Sequence, residues 1–151
     1  MPPDDVLVIG YGSDLRGDDA VGRRAAEAVA GRGLPGVRVL SLPQLAPEIA
    51  ADLTRCRSVI FVDASAVDAA VEVHRLEPAS PDLRLTHHIT PPSLLALAAA
   101  LESAPADAVV VTIPASDFRL GTTLSATATA ALSEAVERIV DLCHDLVVDG
   151  A

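Results

Sequence analysis

Hydrophobic positions along this chain fall into two kinds of run. Val6-Leu7-Val8-Ile9, Ser58-Val59-Ile60-Phe61-Val62 and Ala108 to Ile113 are short and continuously apolar. Runs of this kind read as strands buried on both faces, as in a parallel sheet. Val37 to Leu40 is a further strand. Between these runs the period changes. A helical pattern follows Asp18-Asp19, continues to about Ala30 and stops at Gly31, with Gly33, Pro35 and Gly36 making the turn. Pro43 and Pro47 bracket a loop, and Pro47-Glu48-Ile49-Ala50 opens a second helix with proline in its first turn. Ser93 to Leu101 is an alanine-rich helix, and Ser125 to about Leu146 a long amphipathic one. Val71 to Leu76 alternates apolar and polar residues, the signature of a half-exposed edge strand or hairpin arm. Pro78 to Arg84 and Phe118 to Leu124 read as loops. Strands alternating with helices predict an α/β fold. The expectation is a single-domain three-layer sandwich over 1–151, with a mostly parallel sheet, helices on both faces and one edge strand.

Composition sharpens this picture. Half of the residues are hydrophobic but only 2% are aromatic, so the core is built from Ala, Val, Leu and Ile. The formal net charge of -10 argues against a nucleic-acid footprint, which needs a basic patch, and against an anionic membrane surface. Met1-Pro2-Pro3-Asp4-Asp5 has no basic leader pattern, and no apolar run is long enough to span a bilayer. A cytoplasmic protein is expected. Cys56 and Cys143 show no motif spacing, so they are expected as thiols rather than as a disulfide or a metal knuckle.

The candidate chemistry begins where the first strand breaks at Gly10 and Gly12 and a polar loop runs to Asp18-Asp19. Open parallel sheets bind ligands beyond the carboxyl ends of their strands. Asp19 follows the first strand, Asp63 terminates the third, and His87 lies in the loop before a helix. Two carboxylates and an imidazole suit a first-row divalent metal. Simpler roles compete. Asp18 or Asp19 could cap the following helix, and Asp63 could be a turn residue. His87 and His88 are adjacent, so an extended segment points only one of them into the crevice. His74 and His144 sit in the edge-strand and terminal-helix patterns and read as structural. Other signatures fail. There is no H-E-x-x-H zinc motif. Gly10-Tyr11-Gly12-Ser13 lacks the order of a nucleophile elbow. Leu15 stands where a dinucleotide fingerprint needs its third glycine, and the nearby acids would repel a pyrophosphate.

Taken together these residues resemble the hydrogenase maturation proteases, endopeptidases that trim the C-terminal tail of the NiFe-hydrogenase large subunit. The resemblance rests on Gly10-Tyr11-Gly12-Ser13 followed by Leu15-Arg16-Gly17-Asp18-Asp19-Ala20-Val21-Gly22. It continues through the strand-end Asp63 in Val59-Ile60-Phe61-Val62-Asp63-Ala64, then Thr86-His87 ahead of Leu94 and Leu95, and Gly121-Thr122-Thr123-Leu124-Ser125. It covers nearly the whole chain in order. Ser13 stands where the family usually has Asn, and Ala20 where Gly is common. Gln44-Leu45-Ala46-Pro47-Glu48 departs from the family's Asp-Gly-Gly type, and His88 beside His87 leaves two possible histidine ligands. The resemblance implies that Asp19, Asp63 and His87 bind nickel, with Asp19 and Asp63 in the catalytic role. Asp18 would cap the helix or orient Asp19. The implied metal is not a resident cofactor: the free protein holds none tightly, and the nickel arrives in the large-subunit precursor. That precursor is the implied partner, the protein acting as a monomer without nucleic acid or membrane. The other reading left open is a non-catalytic divalent-metal or small-ligand binding module on the same α/β crevice.

Overall fold

The computed structural model describes residues 5–79 and 89–149. In chain order its elements are β1 (Val6–Tyr11), a 3-10 turn (Gly17–Ala20), α1 (Val21–Ala30), β2 (Val37–Leu42), α2 (Ile49–Leu53), β3 (Ser58–Ser65), β4 (Glu72–Arg75), α3 (Pro91–Leu101), β5 (Asp107–Pro114) and α4 (Ala126–Asp149). The strands form one sheet in the order β2-β1-β3-β5-β4. The pairs β1–β2, β1–β3 and β3–β5 are parallel, and β4 runs antiparallel to β5 at the edge.

The period-two alternation of the central strands sorts their side chains onto two cores. Val6, Val8, Ile60, Val62, Val111 and Ile113 face α1 and α4. Leu7, Ile9, Val59 and Phe61 face α2 and α3. The architecture is therefore the expected three-layer α/β sandwich. Small residues set the layer spacing: Ala25 and Ala26 of α1 are fully buried. The edge strand β4 keeps Glu72, His74 and Arg75 exposed, as its alternating pattern predicts.

Several boundaries differ from the sequence expectation. β1 does not stop at Ile9. It runs on through Gly10 and Tyr11 because β2 continues to pair with it as far as Leu42. Asp63 does not terminate β3 but lies inside it, since Asp63, Ala64 and Ser65 still pair with Thr112, Ile113 and Pro114 of β5. α3 starts at Pro91, fixed by a reciprocal capping box between Thr90 and Ser93. Most consequentially, neither Asp18 nor Asp19 caps α1, whose start carries no side-chain cap. Both carboxylates are engaged elsewhere. Thr86, His87 and His88 lie outside the described residues.

Candidate active site

β1 leads to β2 on one side and, after α2, the chain crosses to β3 on the other side of β1. The carboxyl ends of β1 and β3 therefore form the switch point of the sheet, where α/β proteins open a crevice. A cleft of about 460 Å³ lies there, lined by Tyr11 and Gly12 of the β1 turn, by Asp19, by the segment Pro43 to Pro47, by Asp63 and by Ile89. The structure thus brings Asp19 and Asp63 together. His87 falls outside the described residues; Ile89, two positions further on, is on the cleft wall.

Close backbone approach explains why residues so far apart in sequence converge. Gly12 has φ +146° and packs so tightly that a Cβ there would lie 1.8 Å from the Asp19 carbonyl oxygen. Gly22, at the start of α1, lies against the Val62 carbonyl, 2.4 Å from where a Cβ would stand. These two contacts press the Asp19 segment onto the ends of β1 and β3. Only residues without a side chain permit this.

Each carboxylate has defined partners. Asp19 Oδ2 accepts from the Ser13 N–H at 2.7 Å. This donor is backbone, so Ser in place of Asn at position 13 leaves the contact intact. The Tyr11 hydroxyl and the Ala64 N–H stand beside the Asp63 carboxylate. Burial pushes the Asp63 carboxyl up; these two donors pull it down, the Asp19 charge pushes it up again, and the net shift is upward. The Tyr11 phenol is pushed far above its usual range, first by burial and then by the Asp63 charge beside it. The Tyr11 ring also stands edge-on to Phe61, with centroids 6.5 Å apart. Among the described lining residues there are two carboxylates and no Lys, Arg or His. A cation fits this donor set: it would offset like charges that no base among the described lining residues neutralises.

Asp18 does not cap α1; of the two roles read from the sequence, the structure is in line with holding the Asp19 segment, through partners the sequence did not point to. It is fully buried and points away from α1. Its Oδ2 accepts from Ser116 N–H at 2.8 Å, Asp117 N–H at 2.9 Å and the Ser125 hydroxyl at 2.5 Å, while Oδ1 accepts from Ser125 N–H at 2.6 Å. Burial alone would raise its carboxyl, but the bonds from Ser125, Ser116 and Asp117 outweigh that, and the net shift is downward. The Asp18 N–H donates to Asp117 O, and Gly17 N–H to Gly121 O. Asp18 therefore ties the Asp19 segment to the β5–α4 loop. The only signal in the sequence was the acidic pair itself.

His74, read as structural from sequence, joins Asp68 and Glu72 in a group whose ligating atoms lie within 4.8 Å of one another. Thr112, which donates to Asp68 at 2.7 Å, pairs with Asp63 on one side and Glu72 on the other. The group thus stands at the exposed β4 edge, two strands across the sheet from Asp63. Cys56 and Cys143 are thiols, as expected, with Cys143 buried.

No protein-family model matches the chain, and no curated protein matches it. Solved structures do. The hydrogenase maturating endopeptidase HybD from E. coli superposes with a TM-score of 0.74 at 19% identity, covering 93% of this chain and 93% of that one. The hydrogenase 2 maturation peptidase from Thaumarchaeota archaeon SCGC_AB-539-E09 gives 0.69 at 22% identity, over 92% and 97%. The NiFe hydrogenase maturation protease HybD from Thermococcus kodakarensis gives 0.69 at 22%, over 91% and 98%. The chain has the fold of the hydrogenase maturation endopeptidases.

Proposed function

We propose that this chain is an endopeptidase that removes the C-terminal extension of a NiFe-hydrogenase large-subunit precursor once nickel has been inserted. One observation carries this reading. Asp19 and Asp63 converge in a cleft with no basic side chain among its described lining residues, at the switch point of a fold shared with hydrogenase maturation endopeptidases. The sequence resemblance points to the same two residues.

In this reading the nickel is cargo of the substrate. Asp19, Asp63 and His87 complete its coordination and seat the adjoining peptide in the cleft. Asp19 and Asp63 carry the catalytic role, holding the scissile bond beside a Lewis acid that polarises its carbonyl or activates water. Substrate without nickel lacks the feature that the carboxylates read. The segment Pro43 to Pro47 lines the same cleft as the acids and would contact the tail. It is also where the chain departs from the family pattern, so tail selection is where its specificity would differ. Asp18 acts at one remove, fixing the segment that carries Asp19. We place the protein in the cytoplasm, acting as a monomer; among the described residues no helix is long and apolar enough to cross a membrane.

The test is single substitution. Asp19→Ala and Asp63→Ala should each reduce processing of a nickel-loaded precursor to below about one hundredth of wild type, with the circular-dichroism spectrum unchanged. Full processing by a folded Asp63→Ala protein would refute the scheme.

A further inference from the structure

Glu72 and His74 stand two residues apart on β4, so the period of a strand puts both side chains on one face. The turn before β4 brings Asp68 to them, and one ligating atom of each residue lies within 4.8 Å of the other two. His74 Nε2 is 3.6 Å from Glu72 Oε2. Asp68 is held from outside the group. The Thr112 hydroxyl of β5 donates to its Oδ2 at 2.7 Å, and its own N–H donates to Ser65 Oγ of β3 at 3.1 Å. Arg75, the neighbouring base on β4, turns instead to Glu77 and Asp107. Two carboxylates therefore converge beside an imidazole while the adjacent guanidinium is engaged elsewhere.

We propose that Asp68, Glu72 and His74 bind one divalent cation of the zinc, nickel or cobalt type, at an exchangeable surface site separate from the cleft. This goes beyond the endopeptidase reading and does not depend on it. The donor set selects the ion. Carboxylates alone would suit magnesium or calcium, whereas an imidazole nitrogen moves the preference to the later first-row metals. Three protein ligands drawn from His and carboxylate are enough for zinc, with water in the remaining position. Ligands about 2.1 Å from one ion stand about 3.4 Å apart in a tetrahedron. Atoms already within 4.8 Å of one another need to close by roughly 1.4 Å at most. Glu72 and His74 are half exposed on an edge strand and do so by side-chain rotation. Asp68 is the fixed member. Thr112 takes its Oδ2 and leaves Oδ1 for the ion, the kind of outer hydrogen bond that orients a ligating carboxylate. Thr112 pairs with Glu72 on one side and Asp63 on the other. Two strand spacings, about 10 Å, thus separate the backbones of Glu72 and Asp63, and the site is distinct from the cleft. The competing use of the same three groups is an ion pair, with a proton on His74 in place of the metal. Ligation needs the neutral imidazole, so experiment separates the two.

Zinc(II) alone is the probe. It is titrated calorimetrically into wild type, His74→Ala and an Asp19→Ala/Asp63→Ala double variant, and the ring nitrogens of His74 are followed in wild type by NMR. His74 is half exposed at a sheet edge, so its removal spares the fold. The inference expects one equivalent of zinc to survive in the double variant with the affinity it has in wild type. It expects that equivalent to bind at least tenfold more weakly in His74→Ala, and the His74 ring nitrogens of wild type to shift when zinc is added. Uptake by His74→Ala equal to wild type in stoichiometry and affinity overturns it. So does no uptake by wild type, or a His74 ring that keeps the signature of a protonated imidazole with zinc present. Zinc lost from the double variant but retained by His74→Ala would put the metal in the cleft and overturn it equally. Should the double variant not fold, the His74→Ala titration and the wild-type NMR decide. Failure of wild type to process a precursor would end the endopeptidase reading and leave this site standing.

Discussion

At the scale of residues, the adjacent acids Asp18 and Asp19 do opposite kinds of work. Asp19 faces the cleft; Asp18 is sealed inside and collects four donors from two distant segments. Its titration is depressed in the fold, so its contribution is present above the ordinary carboxylate range and is lost as pH falls through the lowered folded value. Asp18→Asn should therefore lower Tm at neutral pH by roughly 10 °C, corresponding to about 3 kcal/mol. It should also flatten the acid limb of the Tm-against-pH curve, which thermal melts from neutral to acid pH measure. Asp63 has the opposite sign. Its folded value is raised, so the charged form costs stability once pH rises through that value. Asp63→Asn should give a Tm at or above wild type at neutral pH while processing is lost, and a thermal melt beside a cleavage assay checks both. Asp19 and Asp63 were legible in the sequence because each follows an apolar strand pattern at the end where ligands bind. Asp18's partners were not, because Ser116, Asp117 and Ser125 lie about a hundred residues away and nothing local marks them.

At the scale of elements, the glycine turn after β1 organises the site. Gly12 is both at positive φ and in contact with the Asp19 carbonyl. Gly12→Ala would force the 3-10 turn away from β1 and so separate Asp19 from Asp63. The expected cost is about 2–3 kcal/mol in urea unfolding, together with loss of processing larger than the stability change explains. The apolar runs showed which segments become strands, because burial on two faces leaves a continuous signature. They did not show where strands end. Gly10, Tyr11 and Asp63 look like turn residues when read alone, yet pairing with β2 and β5 carries the strands through them. The helix cap assigned to the acidic pair failed for a related reason. Local capping preference competes with tertiary donors, and the amides of the β5–α4 loop won Asp18. The edge strand β4 was legible from its period; that His74 would meet Asp68 and Glu72 was not, since it depends on how the 65–71 turn folds back.

At the scale of the whole molecule, the layered α/β architecture follows from the alternation of strand and helix patterns, and the solved hydrogenase maturation endopeptidases share it despite 19–22% identity. The low aromatic content and the alanine-rich helices bring α1 close to the sheet, and that closeness lets Gly22 rest on Val62. Composition, packing and the placement of Asp19 are thus one chain of causes. The net charge of -10 is consistent with a site that takes a cation rather than an anion. The central claim is that the chain reads nickel in a precursor and then cuts it. The most direct measurement is the intact mass of a hydrogenase large-subunit precursor before and after incubation with this protein, in nickel-loaded and nickel-free forms. The account predicts loss of one defined C-terminal peptide from the nickel-loaded form alone. No mass change in the loaded form with folded protein, or equal cleavage of both forms, would contradict it.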